Sequence, residues 1–294
     1  MDKLRAMGLL VRLADLGSFT KVAQEAGSSK SMISKEISRL EESLGARLLH
    51  RSTRNVQLTE MGQEYVQRCR GILQQMEDAD THIQSLQGKA TGKLRINLPM
   101  VLGIQYFAEA FSAFRRAYPD ISLEIDLNDD EVDLVAQGYD LGFRASSKVF
   151  NSQYIGKPIA EFKYHVVASP EYLKKHPAIH HIRDLQQHNC LIYRYFKGGN
   201  VWPLDSGIEV QGDIKSNNTL FMLHMIKSGL GIGYFPDFVC KAALLDGSVT
   251  EVLPTLKKPR LVLYVLYPER EFMPPKLQTC IQFLHKWFKD KQAA

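Results

Sequence analysis

Lys30, Ser31, Ser34, Lys35 and Arg39 fall on one side of a single predicted helix, and Ile33, Ile37, Leu40 and Leu44 fall on the other. Short hydroxyls and long cations at that spacing suit a helix laid in the major groove of DNA, where cations meet phosphates and polar groups meet base edges. The apolar set recurs at helical spacing and marks a buried face. The flanking residues are those that hold such a helix at a tight corner. Ser29 is placed to cap it and joins the DNA-facing group, and Gly45 is placed to end it. Ahead of it, Ser18 caps a shorter helix that ends at Gly27, where a left-handed residue is cheap only for glycine. Ala23 is small where the two helices cross, and Ile33 fills the angle between them. Together these features spell a helix-turn-helix.

Residues 47–58 read as a tight hairpin, with Leu49 and Leu58 turned inward and Arg51, Thr53 and Arg54 at its tip. A hairpin with arginines beside a recognition helix is a wing, which reaches phosphates or a minor groove. The competing reading is a helical hairpin with a solvated basic face. Two capped helices, the glycine between them and the wing favour DNA jointly, although none does so alone. The chain's net charge of +5 over 294 residues is too modest to identify a nucleic-acid partner. Its distribution says more: residues 1–60 hold ten lysines and arginines against seven acidic residues.

At this point the sequence resembles the LysR-type transcriptional regulators. That family's pattern runs A-x-x-L-x-x-S-Q-S-x-x-S-R-x-I-x-x-L-E-x-x-L-G-x-x-L-F-x-R-x-x-R-x-x-x-L-T-x-x-G. Ser29, Ser31, Ser34, Ile37, Leu40, Glu41, Leu44, Gly45, Leu48, Arg51, Arg54, Leu58, Thr59 and Gly62 fit it. The chain departs at Lys30, Lys35 and Leu49, where glutamine, arginine and phenylalanine are common. The lysines bring charge without planar bidentate geometry. The resemblance covers nearly the whole chain. It implies a double-stranded DNA partner, a small-molecule effector, pairing of copies into dimers and often tetramers, and RNA polymerase as a further candidate partner.

From Thr59 to about Gln87 the chain has neither proline nor strand pattern. Tyr65, Cys69, Ile72, Met76, Ala79, Ile83 and Leu86 follow in alternating steps of four and three, a heptad seam. At about 1.5 Å per residue the helix is roughly 40 Å long. The seam is expected to meet the same helix of a second copy. Such a homodimer puts two recognition helices on one face of DNA and calls for an inverted-repeat operator.

Residues 88–92 form a glycine-bearing hinge, after which strand and helix alternate. The segments 94–98, 121–127 and 140–144 with their helices predict a parallel α/β sheet. A second set begins near Tyr164, and the strand 261–267 returns to the first. The fold class is thus α/β with an all-α, winged N-terminal module. The expected domains are a winged helix-turn-helix at 1–58, a dimerisation helix at 59–87, the hinge, and a two-lobed sensor at 93–294. Lobe I takes about 93–161 and 268–294, and lobe II about 162–267. This is the layout of periplasmic-binding-protein-like sensors, which the resemblance also implies. Ligands in such folds sit between lobes at the carboxyl ends of strands. That rule selects Pro99, Met100, Val101, Leu102, Arg144, Ser146, Tyr193, Asn218, Thr219, Tyr234 and Phe235. Many family members carry a serine or threonine in the first turn that binds a carboxylate. Here that turn is Pro-Met-Val-Leu-Gly, which speaks against side chains holding a carboxylate there. An aromatic or other hydrophobic metabolite suits this lining better than a small dicarboxylate.

Other chemistries find little support. Gly229-Leu230-Gly231-Ile232-Gly233 resembles a dinucleotide fingerprint but precedes a strand instead of following one. His176, His180, His181 and His188 lie in a polar connection and read as solvated loop histidines. Four scattered cysteines show no metal-ligand spacing and fit a reducing cytosol. No run of about 18 apolar residues suggests a membrane span. No catalytic residue, metal or cofactor is expected, and the protein is placed in the cytoplasm. The alternative, a solute-binding-like protein whose DNA-binding module is not used, leaves residues 1–60 idle.

Overall fold

A computed structural model describes residues 2–50, 56–85, 90–146, 154–269 and 273–293. Backbone contacts divide the chain into two compact units. The first comprises residues 1–92, 132–140 and 272–275, and the second residues 93–131, 141–271 and 276–294.

The first unit opens with α1 (Lys3–Leu16), α2 (Phe19–Glu25) and α3 (Lys30–Leu44). Each start is capped by a side chain that satisfies an orphan amide. Asp2 accepts from Arg5 N at 3.2 Å, Ser18 from Lys21 N at 3.4 Å and Ser29 from Met32 N at 3.2 Å. Gly27 and Gly45 take φ of 56° and 64°, the left-handed values at which the chain leaves α2 and α3. Leu10, Leu13, Val22, Ala23, Ile33, Ile37, Leu40 and Leu48 share one core. Fully burying each of the larger aliphatic chains contributes about 1.5–3 kcal/mol.

The long helix α4 (Glu60–Ser85) follows, its first turn held by Thr59 Oγ1, which accepts from Gly62 N at 3.0 Å. The expected seam divides along its length. Cys69 is buried in the core beneath α1, and Tyr65 packs partly against it. Tyr65 is half-buried: the first turns of α4 help complete their own unit, and the four-three spacing serves that packing as well as a seam. Ile72, Met76 and Ala79 are exposed. The side chain of Ile83 and all of Leu86 lie outside the described residues.

In the second unit, β1 (Gly92–Leu98) leads into α5 (Met100–Leu102), a π-helical turn at Gly103–Phe107 and α6 (Ala108–Ala117), one continuous helical path. Then come β2 (Ile121–Leu127), α7 (Leu134–Gln137), which belongs to the first unit, β3 (Leu141–Ser146) and β4 (Tyr154–Phe162). The second lobe holds β5 (Tyr164–Ala168), α8 (Pro170–Lys175), β6 (Ile192–Tyr193), β7 (Val201–Trp202), β8 (Ile208–Glu209) and β9 (Lys215–Ser216). It continues with α9 (Thr219–Lys227), β10 (Ile232–Pro236), α10 (Asp237–Leu245) and β11 (Thr250–Val252). The chain ends with β12 (Leu261–Pro268) and α11 (Pro275–Ala293).

The first-lobe sheet runs β2-β1-β3-β12-β4, with β1 and β3 parallel and β12 antiparallel to both β3 and β4. The second-lobe sheet, β10-β5-β11, is antiparallel, so the parallel expectation holds for β1 and β3 and not there. β12 pairs with β4 from Leu261–Phe162 to Pro268–Tyr154. It lies in the first sheet throughout, so the return crossing falls before Leu261 and not at the expected lobe boundary near 267–268. Phe107, Phe114, Phe143 and Phe288 are fully buried in the first lobe. Val101 joins the second lobe's core with Val167, Leu191 and Phe235.

Candidate functional site

The recognition face is positioned from behind. Ile33, Ile37 and Leu40 anchor the inner stripe of α3, with 0, 2 and 0% exposure. Glu41, which the sequence reading noted only as part of a pattern, does the rest. Glu41 is 8% exposed, and Oε1 accepts from Leu48 N at 2.7 Å and Leu49 N at 3.1 Å. Oε2 accepts from Arg47 Nη1 at 3.0 Å. One side chain thus ties α3 to the strand that opens the wing. The wing's base is closed by the antiparallel bridge Leu49–Leu58 and by His50 N donating to Gln57 O at 2.8 Å. Arg51, Thr53 and Arg54, assigned to its tip, lie outside the described residues.

Ser29, Lys30, Ser31, Ser34, Lys35 and Arg39 are all exposed on α3. Among the described residues, no carboxylate lies within ion-pair distance of Lys30, Lys35 or Arg39. Three cations on one helix face without internal partners keep their charge for an external anion. Ser29 Oγ is engaged with Met32 N and lies 3.0 Å from Ser31 Oγ, so these two hydroxyls are held together at the helix start. Met32, 53% exposed on the same side, escaped the sequence reading. Its spacing from Lys35 and Arg39 was the available signal, and an apolar tip there suits a thymine methyl.

The second unit encloses a cavity of about 910 Å³ between its lobes. Of the residues chosen from sequence, Pro99, Val101, Leu102, Arg144, Ser146, Tyr193, Thr219 and Tyr234 line it. Phe235 does not: it is fully buried on the opposite side of β10, because consecutive strand residues face opposite ways. Met100 and Asn218 are also absent from the wall. They hold each other instead, Asn218 Nδ2 donating to Met100 Sδ at 3.3 Å, while Asn218 Oδ1 caps α9 through Phe221 N at 2.9 Å.

Arg144 lines the wall, but its guanidinium is tied down by Asn97 Oδ1 at 2.7 Å, the Asp130 carbonyl at 3.0 Å and the Phe143 carbonyl at 2.6 Å. The rest of the wall comes from segments the sequence reading passed over. Asp129 and Glu131 follow β2, and the connection from Tyr195 to Gly207 supplies Phe196, Lys197 and Trp202. The signal for the latter was the aromatic and glycine-rich run Tyr195-Phe196-Lys197-Gly198-Gly199-Asn200-Val201-Trp202. Tyr164 and Tyr234 stack at 4.4 Å, and Trp202 stacks on Tyr234 at 5.6 Å. Burial raises the phenol pKa of Tyr164, Tyr193 and Tyr234, so all three stay neutral hydrogen-bonding groups. Burial also raises the Asp129 carboxyl, against the Met100 amide that donates to it at 3.2 Å.

The histidine run divides as well. The His180 and His181 amides both donate to Asp184 at 2.8 Å, as a loop requires. His188 is 5% exposed, with Nδ1 3.1 Å from the Tyr172 hydroxyl, so it is a core residue and not a solvated one. All four cysteines are buried, and burial pushes the Cys190 and Cys240 thiols up to about 12, far from reactive thiolates. Among the described residues, no helix is long and apolar enough to cross a membrane.

Comparison with known proteins agrees at both ends of the chain. Residues 4–63 match the family described as bacterial regulatory helix-turn-helix protein, lysR family, and residues 87–289 match the LysR substrate binding domain. The chain is 35% identical over 282 residues to an uncharacterized HTH-type transcriptional regulator of Haemophilus influenzae, covering 94% of this chain and 98% of that one. It is 29% identical to the HTH-type transcriptional activator TtdR of Escherichia coli K12, covering 96% and 93%. Among solved structures it is similar to full-length AphB, a virulence activator of Vibrio cholerae described as a member of the LTTR family. The TM-score is 0.63 at 28% identity, covering 96% and 98% of the two chains.

Proposed function

The chain belongs to the LysR family of bacterial transcriptional regulators, and from that premise we propose how its own residues divide the work. The family is one of regulators and not of enzymes, and the chain carries its helix-turn-helix DNA-binding domain and its effector-binding domain. Residues 1–58 bind duplex DNA, with Lys30, Ser34, Lys35 and Arg39 in the major groove and Arg51, Thr53 and Arg54 reaching from the wing. The observation that carries this is the exposed stripe of Lys30, Lys35 and Arg39 on α3, none of them ion-paired among the described residues. Ser29 and Ser31 fix the helix start against the backbone of the DNA.

Residues 59–87 join two copies through Ile72, Met76 and Ala79, followed by Ile83 and Leu86. The exposure of Ile72 and Met76, 43 and 44%, supports a role for them outside their own unit. The dimer, or a tetramer built from it, then reads an inverted repeat in the cytoplasm, where bacterial DNA lies, and acts on transcription through RNA polymerase. Residues 88–92 are the hinge. Residues 93–294 bind a small-molecule effector in the cavity between the lobes, and closure of the lobes changes the spacing of the two DNA-binding modules.

Footprinting of the full chain on DNA upstream of its own gene tests this. Two protected half-sites related by a two-fold axis are expected, and protection independent of sequence contradicts the reading. Sedimentation tests the seam: Ile72→Lys is expected to convert a dimer to a monomer and to lose DNA binding. A wild-type monomer at micromolar concentration contradicts it.

A further inference from the structure

We propose that the cavity is built for a protonated amine carried on an apolar body, with Asp129 as its counter-ion and the Tyr234 hydroxyl as a second polar contact. The proposal rests on the reading of this cavity as the effector site and adds the charge class of the occupant.

The position an anion would take is already filled. A helix start offers free amides and a partial positive charge to an anion. At the start of α5 the Met100 amide donates to Asp129 Oδ1 at 3.2 Å, so the chain supplies its own carboxylate. A second carboxylate arriving beside Pro99 and Val101 meets like charge in a partly desolvated place. The two cations among the described cavity residues are also engaged. Lys197 Nζ pairs with Glu131 Oε1 at 2.8 Å, and Arg144 is held by Asn97 and by two backbone carbonyls. Among the described residues three carboxylates line the cavity, Asp129, Glu131 and Asp205, beside these two engaged cations. Among the described residues Asp129 has no cation within ion-pair distance, and Arg144 reaches it only as a longer-range attraction.

The remaining wall selects for a cation on an apolar body. Tyr164, Tyr234 and Trp202 form a stack whose ring faces carry negative electrostatic potential, the surface an alkylammonium prefers. Tyr234 is only 6% exposed, and its hydroxyl has no hydrogen-bond partner among the described residues. A buried hydroxyl without a partner is unfavourable, and because Tyr234 is a wall residue of the cavity, a polar ligand group that displaces what covers the hydroxyl would supply the partner it lacks. Stacking on two neighbours holds the ring in place, so the hydroxyl is presented at a fixed point. Asp129 and Tyr234 come from different lobes, so a ligand that uses both also favours the closed arrangement.

The test is calorimetric titration of the full-length protein with matched probes: aryl and alkyl bodies of graded size, each as primary amine, alcohol and carboxylate. Phenethylamine, 2-phenylethanol and 3-phenylpropanoate are the smallest set. The amine of the best-fitting body is expected to bind roughly tenfold or more tightly than its alcohol, as a charge-assisted bond supplies, with the carboxylate weakest. Asp129→Asn keeps an oxygen for the Met100 amide and is expected to erase that preference. Tyr234→Phe is expected to weaken amine and alcohol several-fold. Tightest binding by a carboxylate, abolished by Ser146→Trp, overturns the charge assignment and leaves the cavity as the effector site. Amine binding indifferent to both Asp129→Asn and Tyr234→Phe overturns the location. Binding by no member of the panel overturns both the proposal and the cavity reading beneath it.

Discussion

The outer face of α3 and the cavity between the lobes treat charge in opposite ways. On α3, Lys30, Lys35 and Arg39 stand in solvent with no acidic neighbour at ion-pair distance among the described residues. In the cavity, Lys197 faces Glu131 and Arg144 is held by carbonyls and an amide oxygen. A phosphate backbone is met anywhere along a duplex, so cations without internal partners attract it at long range and lose strength as salt rises. A small effector must be told from its chemical relatives, so most polar groups around it are fixed in advance and few remain open. On the proposed assignment, the first surface gains affinity from charge, and the second gains selectivity from the groups left without partners.

The contrast breaks most severely at Glu41. Its carboxylate satisfies the Leu48 and Leu49 amides, so Glu41→Ala leaves two backbone donors short in a buried corner. A loss of about 3 kcal/mol in unfolding free energy is expected by denaturant titration, with weaker DNA binding although no DNA-facing residue has changed. Glu41→Gln, which restores an acceptor without the charge, is expected to recover part of the loss.

A substitution in the cavity separates the two surfaces. Thr219 lines the cavity at the first turn of α9, and Thr219→Trp fills its space. DNA affinity without effector is expected to stay within about twofold of wild type, a change under 0.5 kcal/mol, while effector binding is lost. Equal loss of both activities would show that the two surfaces are not separable.

The smallest effect concerns Asp129. Burial holds its carboxyl above the ordinary value of 3.8, so ionisation in the folded state is less favourable than in the unfolded chain. Its stabilising contribution is full below 3.8 and is lost as pH rises through the higher folded value. Asp129→Asn does not titrate there. The stability of wild type relative to that variant is expected to decline across this window, read from melting curves at several pH values. A rise across the window would mean that the buried carboxylate is more stabilised than its surroundings imply.

The same contrast explains what the sequence disclosed. The recognition face is local: Ser29, Ile33, Ile37 and Leu40 announce a capped amphipathic helix within a dozen residues, and its free side follows from the spacing. The cavity is non-local. Asp129, Trp202 and Tyr234 meet only after two lobes fold, and the segment 195–207 has no period that marks its role. Strand ends were legible, yet adjacency along a strand cannot say which of Tyr234 and Phe235 faces the ligand until the pleat is known. The seam on α4 is ambiguous at Tyr65, which packs partly within its own unit, for a related reason. Four-three spacing records that a face is buried, and not whether its own unit or a second copy buries it. His188 looked like a loop residue because its polar neighbours in sequence are not its neighbours in space.

The central claim is that the unpaired cations of α3 meet DNA, and the salt dependence of binding tests it most directly. Fluorescence anisotropy of a labelled fragment from upstream of the gene is followed over a range of salt for the full-length wild type and for Lys30→Ala, Lys35→Ala and Arg39→Ala combined. Each lost phosphate contact flattens the log–log slope by about 0.9, and any lost base contact costs about 1–3 kcal/mol of specific binding. A flatter slope together with loss of specific affinity is the predicted result. Unchanged slope and affinity in the combined variant would contradict the account, and DNA would then have to be bound by another surface of the protein.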